Sequence, residues 1–152
     1  MIGALWTPGM MSSVTDDWAT PRSLFHFLDK EFRFEVDFCA SPENAKCDEF
    51  IAVESDSLET DWAAWKTVWM NPPYGRTIDR WIHKAYETST RGSTVVCLLP
   101  ARTDTSWWHD ICMRGEIRFL RGRLNFNDRR DHTARAPFPS AIVIFRAAVV
   151  GA

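Results

Sequence analysis

The sequence predicts an α/β domain with a mostly parallel central sheet covered by helices on both faces. Three observations carry that expectation. Segments of strand character alternate with segments of helical periodicity along the chain. One strand, Thr94 to Leu99, is continuously apolar, as a strand buried on both faces must be. The 152 residues, 45% hydrophobic and 25% charged, suffice for a single domain with a substantial core.

Each element has its own signal. The first helix is expected to open with Thr20 as N-cap and Pro21 at the first helical position, then to run through Leu24, Phe25, Phe27, Leu28 and Phe32. Phe34, Val36 and Phe38 alternate with Glu35 and Asp37, which predicts a first strand ending near Cys39. Ser41-Pro42-Glu43-Asn44 is turn chemistry. Phe50 to Val53 makes a short second strand, and Thr67 to Met70 a third that runs into Asn71-Pro72-Pro73. Ile78, Trp81, Ile82 and Ala85 share one helical face, and Gly92 closes that helix. Trp107 to Met113 reads as another helix, and Ile117 to Leu120 and Ala141 to Phe145 as the last two strands. Tryptophans 62, 65, 69 and 81 belong to the core by spacing and setting. The domain is expected over residues 16–152, with residues 1–15 as a flexible leader that lacks the pattern of a signal peptide.

Composition excludes several classes. No stretch approaches the roughly 18 apolar residues of a membrane helix. Cys39, Cys47, Cys97 and Cys112 are scattered without zinc spacing, as free thiols of a reducing cytoplasm would be. The formal net charge of −2 means that any nucleic-acid surface must be local. Such a surface has one candidate. Seven arginines against three acids lie between Arg114 and Arg135, with Arg121, Arg123, Arg129, Arg130 and Arg135 around a polar stretch. They either contact phosphates or line a solvated hairpin.

The segment with chemistry is Trp69-Met70-Asn71-Pro72-Pro73-Tyr74-Gly75, between a strand and a helix. In open α/β sheets, ligands bind outside the carboxyl ends of the strands. Two prolines stiffen the loop and remove two amide donors, so it presents acceptors. Asn71 adds an amide oxygen and Tyr74 a flat amphipathic ring. Those parts suit an amine conjugated to a ring, whose delocalised lone pair attacks poorly until acceptors hold its hydrogens. The plain alternative is a proline-rich turn with Tyr74 packed on the surface.

Here the residues resemble a family. Asn71 to Tyr74 is the Asn-Pro-Pro-Tyr form of the amino-methyltransferase signature, and the chain resembles the small phage-type DNA N6-adenine methyltransferases. The matching stretches are Asp17 to Pro21, Asp37 to Cys47, Asp56 to Leu58 with Asp61-Trp62, Trp69 to Tyr74, Leu98 to Ala101, Arg121 to Phe126 and Pro137 to Ala141. Together they span about residues 16 to 146. The resemblance implies a single Rossmann-like methyltransferase domain with an antiparallel last strand, acting in the cytoplasm of a phage-bearing bacterium. It implies S-adenosylmethionine as cofactor, with Trp18, Thr20 and Pro21 at its methionine portion. Asp37, Cys39 and Ala40 would meet its amino-acid end, and Asp56, Ser57 and Leu58 its adenosine, with Asn71 bordering both cofactor and substrate. Asn71 and the Pro72 carbonyl would hold the amine of an extruded adenine, Pro73 would stiffen the loop, and Tyr74 would stack on the base.

Several readings stay open. No glycine-rich loop follows the first strand; Cys39-Ala40-Ser41-Pro42 stands there. Asp37, apart from the family, is a strand-end cap or a ligand. Cytosine C5 chemistry is set aside, because no Pro-Cys dipeptide is present and Cys97 lies in a buried strand. His109 is a surface or satisfied histidine before it is an acid or base. Phe138 stacks on an extruded base or anchors its loop in the core. The same tetrapeptide also serves enzymes that methylate RNA bases or a glutamine amide, and a non-catalytic DNA-binding phage accessory protein is the remaining class.

Overall fold

Strands and helices alternate from the start: α1 (Arg22–Phe32), β1 (Val36–Ala40), β2 (Phe50–Ala52), β3 (Thr67–Met70), α2 (Ile78–Thr90), β4 (Thr94–Pro100), α3 (Ser106–Asp110), β5 (Glu116–Phe119), β6 (Asn125–Asn127), β7 (Thr133–Arg135) and β8 (Ser140–Phe145). A computed structural model describes residues 20–41, 44–52, 58–127 and 133–149.

Six strands form one sheet in the order β2-β1-β3-β4-β8-β5. β1 pairs in parallel with β2 and β3, and β3 with β4; β8 is antiparallel to both β4 and β5. Five strands therefore point one way and β8 alone returns, so the mixed sheet keeps a mostly parallel character with an antiparallel last strand. β8 is buried along its whole length and β4 from its second residue. That burial explains their unbroken apolar runs.

Alternation along the strands divides the core into two layers. On one face, Phe25 of α1 meets Trp69 edge-on, ring centroids 5.6 Å apart, and Phe34 packs beside them. On the other, Phe38, Trp62 and Trp81 form an aromatic column under α2. Trp62, Trp69 and Trp81 are core as expected, and Trp65 packs against it half-buried. Gly92 follows α2 with φ 106°, a torsion that glycine adopts without the strain a side chain adds.

Four expectations are corrected. Pro21 stands before the first helical residue rather than at it, with ψ 132°, and no side chain caps α1. The Thr20 hydroxyl is engaged elsewhere, by Asn71. Phe27 is 39% exposed and lies outside the buried stripe of Leu24, Phe25 and Leu28. The helix expected from Trp107 to Met113 stops at Asp110, and Cys112–Arg114 forms a separate 3-10 turn. Ile111, with φ −121° and ψ −58°, leaves the helical torsions between them, and Gly115 then passes so close to β8 that a Cβ would lie 2.8 Å from the Ile144 carbonyl oxygen. Finally, β6 and β7 form a hairpin of their own, pairing Asn125 with Arg135, between the two strands expected to be last.

Candidate active site

Three segments converge where the parallel strands end: the residue pair before α1, the Asn71–Thr77 loop after β3, and the end of β4. Pro72 is buried and Pro73 half-buried, which seats the loop on the sheet. The Asn71 amide is held at both ends. Its Nδ2 donates to Thr20 Oγ1 at 3.1 Å, and its Oδ1 accepts from the Tyr74 hydroxyl at 2.9 Å. The same hydroxyl lies 3.0 Å from the Leu98 carbonyl oxygen of β4, so its one proton faces two acceptors. Burial pushes the Tyr74 phenol well above its ordinary value, so it keeps its proton and remains a donor.

Tyr74 does not present an open ring in this arrangement. It is 5% exposed, and Phe138 meets it edge-on with centroids 5.6 Å apart. Phe138 is itself buried, and the Arg102 guanidinium lies 5.9 Å over its ring. Of the two readings of Phe138, the core anchor is the one this packing holds.

The end of β1 is chemically unusual. Asp37 is buried, and its Oδ2 accepts the Lys46 backbone N–H at 2.8 Å. The Lys46 ammonium turns instead to the Asn44 carbonyl, 3.0 Å away. Burial pushes the Asp37 carboxyl up to about 7, against the Lys46 hydrogen bond and charge, which pull it down. The register slips between Phe38 and Ala40, and Cys39 takes φ 65°. A non-glycine residue there costs on the order of 1–3 kcal/mol, and such strain gathers at functional sites. Burial holds the Cys39 thiol well above its ordinary value, hence neutral. Ala40 is buried, and the next residue, Ser41, has a buried hydroxyl with no hydrogen-bond partner among the described residues. Asn44 closes the expected turn on the Ser41 carbonyl at 3.1 Å. Leu58 lines a surface crevice of about 440 Å³ with Glu59 and, from α2, Asp79, Arg80 and His83. Trp18, Asp56 and Ser57 lie outside the described residues.

Residues 9–149 match the family described as DNA N-6-adenine-methyltransferase (Dam), beginning inside the segment expected as a leader. The chain belongs to the DNA N-6-adenine-methyltransferase family. It is 33% identical over 137 residues to the DNA N-6-adenine-methyltransferase of Haemophilus phage HP1, covering 86% of this chain and 78% of that protein. It is 36% identical over 97 residues to the enzyme of the same description from Escherichia phage T1, covering 63% of this chain and 40% of that protein. No solved structure matches the chain.

In this family member the arginine-rich segment lies at the same edge of the sheet as the Asn71 loop. β5 points the same way as β4, and Leu99 and Phe119 both pair with Ala141 of the β8 strand between them, so the two ends share one edge of the sheet. Two backbone bonds tie the segment's ends to the sheet, Leu120 N–H to Ser140 O and Ala101 N–H to Pro139 O, and Ala136 N–H to Leu124 O closes its neck. Its arginines are not equivalent. Arg118 makes a two-pronged pair with Glu31, both contacts 2.7 Å, and also reaches Glu116; Arg114 lies over Tyr86. Arg121, Arg123 and Arg135 are exposed, Arg123 with one guanidinium nitrogen 3.4 Å from the Ala136 carbonyl. Arg129 and Arg130 lie outside the described residues. His109 Nε2 donates to the Thr103 carbonyl oxygen at 2.7 Å, which makes it a satisfied surface histidine. Arg102 was missed from the sequence. It stands one residue beyond the matched Leu98 to Ala101 stretch, with no periodicity to mark it. Cys39, Cys47, Cys97 and Cys112 are free thiols, and no described helix is long and apolar enough to cross a membrane.

Proposed function

We propose that this chain transfers a methyl group from S-adenosylmethionine to the N6 amine of adenine in DNA, at the Asn71–Tyr74 loop of a Rossmann-like domain over residues 16–152. The observation that carries the reading is the Asn71 amide, gripped by Thr20 and Tyr74 at the end of β3 in a chain of this family. When bound, S-adenosylmethionine supplies an electrophilic methyl on a sulfonium.

The residues present fit such a cofactor. Asp37 is a buried carboxyl whose nearest lysine ammonium bonds a carbonyl instead, and Ser41 offers a buried hydroxyl without a partner among the described residues. A carboxylate and a hydroxyl donor suit the two ends of an amino acid. Asp37, Cys39, Ala40 and Ser41 would hold that portion, Thr20, Pro21 and Trp18 the methionine chain, and Asp56, Ser57 and Leu58 the adenosine.

The protein's own part is alignment. Tyr74 and Thr20 hold the Asn71 side chain so that its oxygen and the Pro72 carbonyl accept the two amine hydrogens. Pro73 keeps the loop stiff. Tyr74 is the ring that meets the extruded base, Phe138 stays behind it as its anchor, and Arg123, Arg129, Arg130 and Arg135 meet the DNA backbone. With DNA as substrate and reduced thiols throughout, the protein works in the cytoplasm of a phage-bearing bacterium.

The test is methyl transfer from labelled S-adenosylmethionine to DNA, RNA and protein in parallel, followed by nucleoside analysis of the product. N6-methyladenine in DNA supports the reading. Label only in RNA or in a glutamine amide moves the acceptor, and no transfer with DNA still bound returns the chain to the accessory class.

A further inference from the structure

The turn after β4 holds an arginine that neither the catalytic loop nor the arginine hairpin accounts for. Arg102 lies at the carboxyl edge, exposed, and no carboxylate among the described residues pairs with it. By contrast Arg91 is paired with Asp61, Arg118 with Glu31, and Arg146 with Glu116.

Its base is rigid. The Arg102 N–H donates to the Pro100 carbonyl at 2.8 Å, and the Arg102 carbonyl accepts from both the N–H and the hydroxyl of Thr105. Thr105 caps α3 by accepting the Trp108 N–H, and His109 reaches back to the Thr103 carbonyl. Arg102, Thr103 and Thr105 are thus each held by a backbone bond. The guanidinium rests over Phe138, whose ring abuts Tyr74. It is close enough for its charge to bear on the Tyr74 phenol, opposing the upward push of burial.

A guanidinium lying on an aromatic ring keeps its N–H donors at its rim, in the fork that matches two phosphate oxygens. We propose that Arg102 binds a backbone phosphate of the DNA strand that carries the target adenine, and so registers that strand in front of Asn71. This rests on the proposed DNA substrate. A base-edge contact is the competing role, and it differs in being confined to one sequence.

The test uses the full chain and short fluorescent duplexes of several adenine-containing sequences, titrated at four or more salt concentrations. Arg102→Gln keeps a flat polar group over Phe138 but removes the charge; Arg102→Lys keeps the charge. Lys30→Ala, which removes an exposed charge at the far end of α1, controls for net charge. Arg102→Gln is expected to weaken binding about tenfold on every sequence and to make the slope of log affinity against log salt shallower by about 0.9, the value of one duplex phosphate. Arg102→Lys and Lys30→Ala should keep the wild-type slope. In turnover, Arg102→Gln should raise KM for DNA with kcat within about threefold. An unchanged slope, a loss confined to one sequence, or a fall in kcat at constant KM each overturns the proposal. The titration reads binding without turnover, so a wild-type protein that fails to methylate adenine would refute the enzymatic reading separately.

Discussion

Replacing Asp37 with Asn should make the protein more stable at pH 8 and worse at its work. The carboxyl is buried, and burial lifts it to about 7 from an ordinary 3.8. The folded chain therefore binds that proton more tightly than the unfolded chain. Wild-type stability must fall as pH rises from about 4 to about 7, then level off with the carboxylate ionised. At about 1.4 kcal/mol per pH unit, the cost is capped near 4 kcal/mol. Asparagine is close to isosteric, carries no charge, and its Oδ1 can still accept the Lys46 N–H. Urea unfolding followed by tryptophan fluorescence, at pH 4 to 8 for both proteins, measures the difference. With a slope of about 2 kcal/mol/M, a gain of 2 kcal/mol moves the midpoint by about 1 M. The gain should be near zero at pH 4 and largest at pH 8. The same variant should bind S-adenosylmethionine at least tenfold more weakly, since it offers no charge to the ammonium. Wild-type affinity itself should decline as pH falls below about 7. Parallel stability profiles in the two proteins would refute the claim that Asp37 is held ionised at a cost.

Asn71→Ala should lower methyl transfer on the order of a hundredfold, about 3 kcal/mol, with S-adenosylmethionine affinity within a few-fold; near-normal turnover would remove Asn71 from the chemistry. Tyr74→Phe strips the hydroxyl from both Asn71 and the Leu98 carbonyl, so about 1 kcal/mol of stability and about tenfold in kcat should go together, read by melts and single-turnover rates. Replacing Arg123 and Arg135 jointly with Ala should make the salt slope on duplex DNA shallower by about 1.8 while cofactor titrations stay unchanged; an unaltered slope would leave these two in a solvated hairpin.

What the sequence made legible was whatever is written in short-range pattern. β3 and the start of α2 are short, strongly patterned segments, and both form where the pattern places them. The partner of Asn71 is not legible in this way, because Thr20 lies 51 residues away and its hydroxyl serves a cap and a tertiary bond equally well in sequence. The strain at Cys39 was visible only as a missing glycine. The burial of Phe138 depends on Tyr74 and Arg102, drawn from two other loops, so no local pattern could separate anchor from stacking platform. β6 and β7 have three residues each, too short for periodicity to register, and the break after α3 at Ile111 falls inside an otherwise helix-compatible run.

β8 is late in the chain yet interior in the sheet. Lying between β4 and β5, it supplies β5 with its neighbour in the sheet and holds the hairpin through Ser140. A growing chain emerging from the ribosome has therefore made α1, β1 and the Asn71 loop long before the β5 side of the sheet can close. Until residues 140–145 arrive, β4 and β5 stand apart with open edges, and long-range closure of this kind is slow. The half from β2 to β4 can be in place first, with β5 and the hairpin joined to it by the final insertion. Losing a handful of residues at this strand would thus open the sheet from within, whereas the same loss at β2, an outer strand of three residues, would trim only its rim.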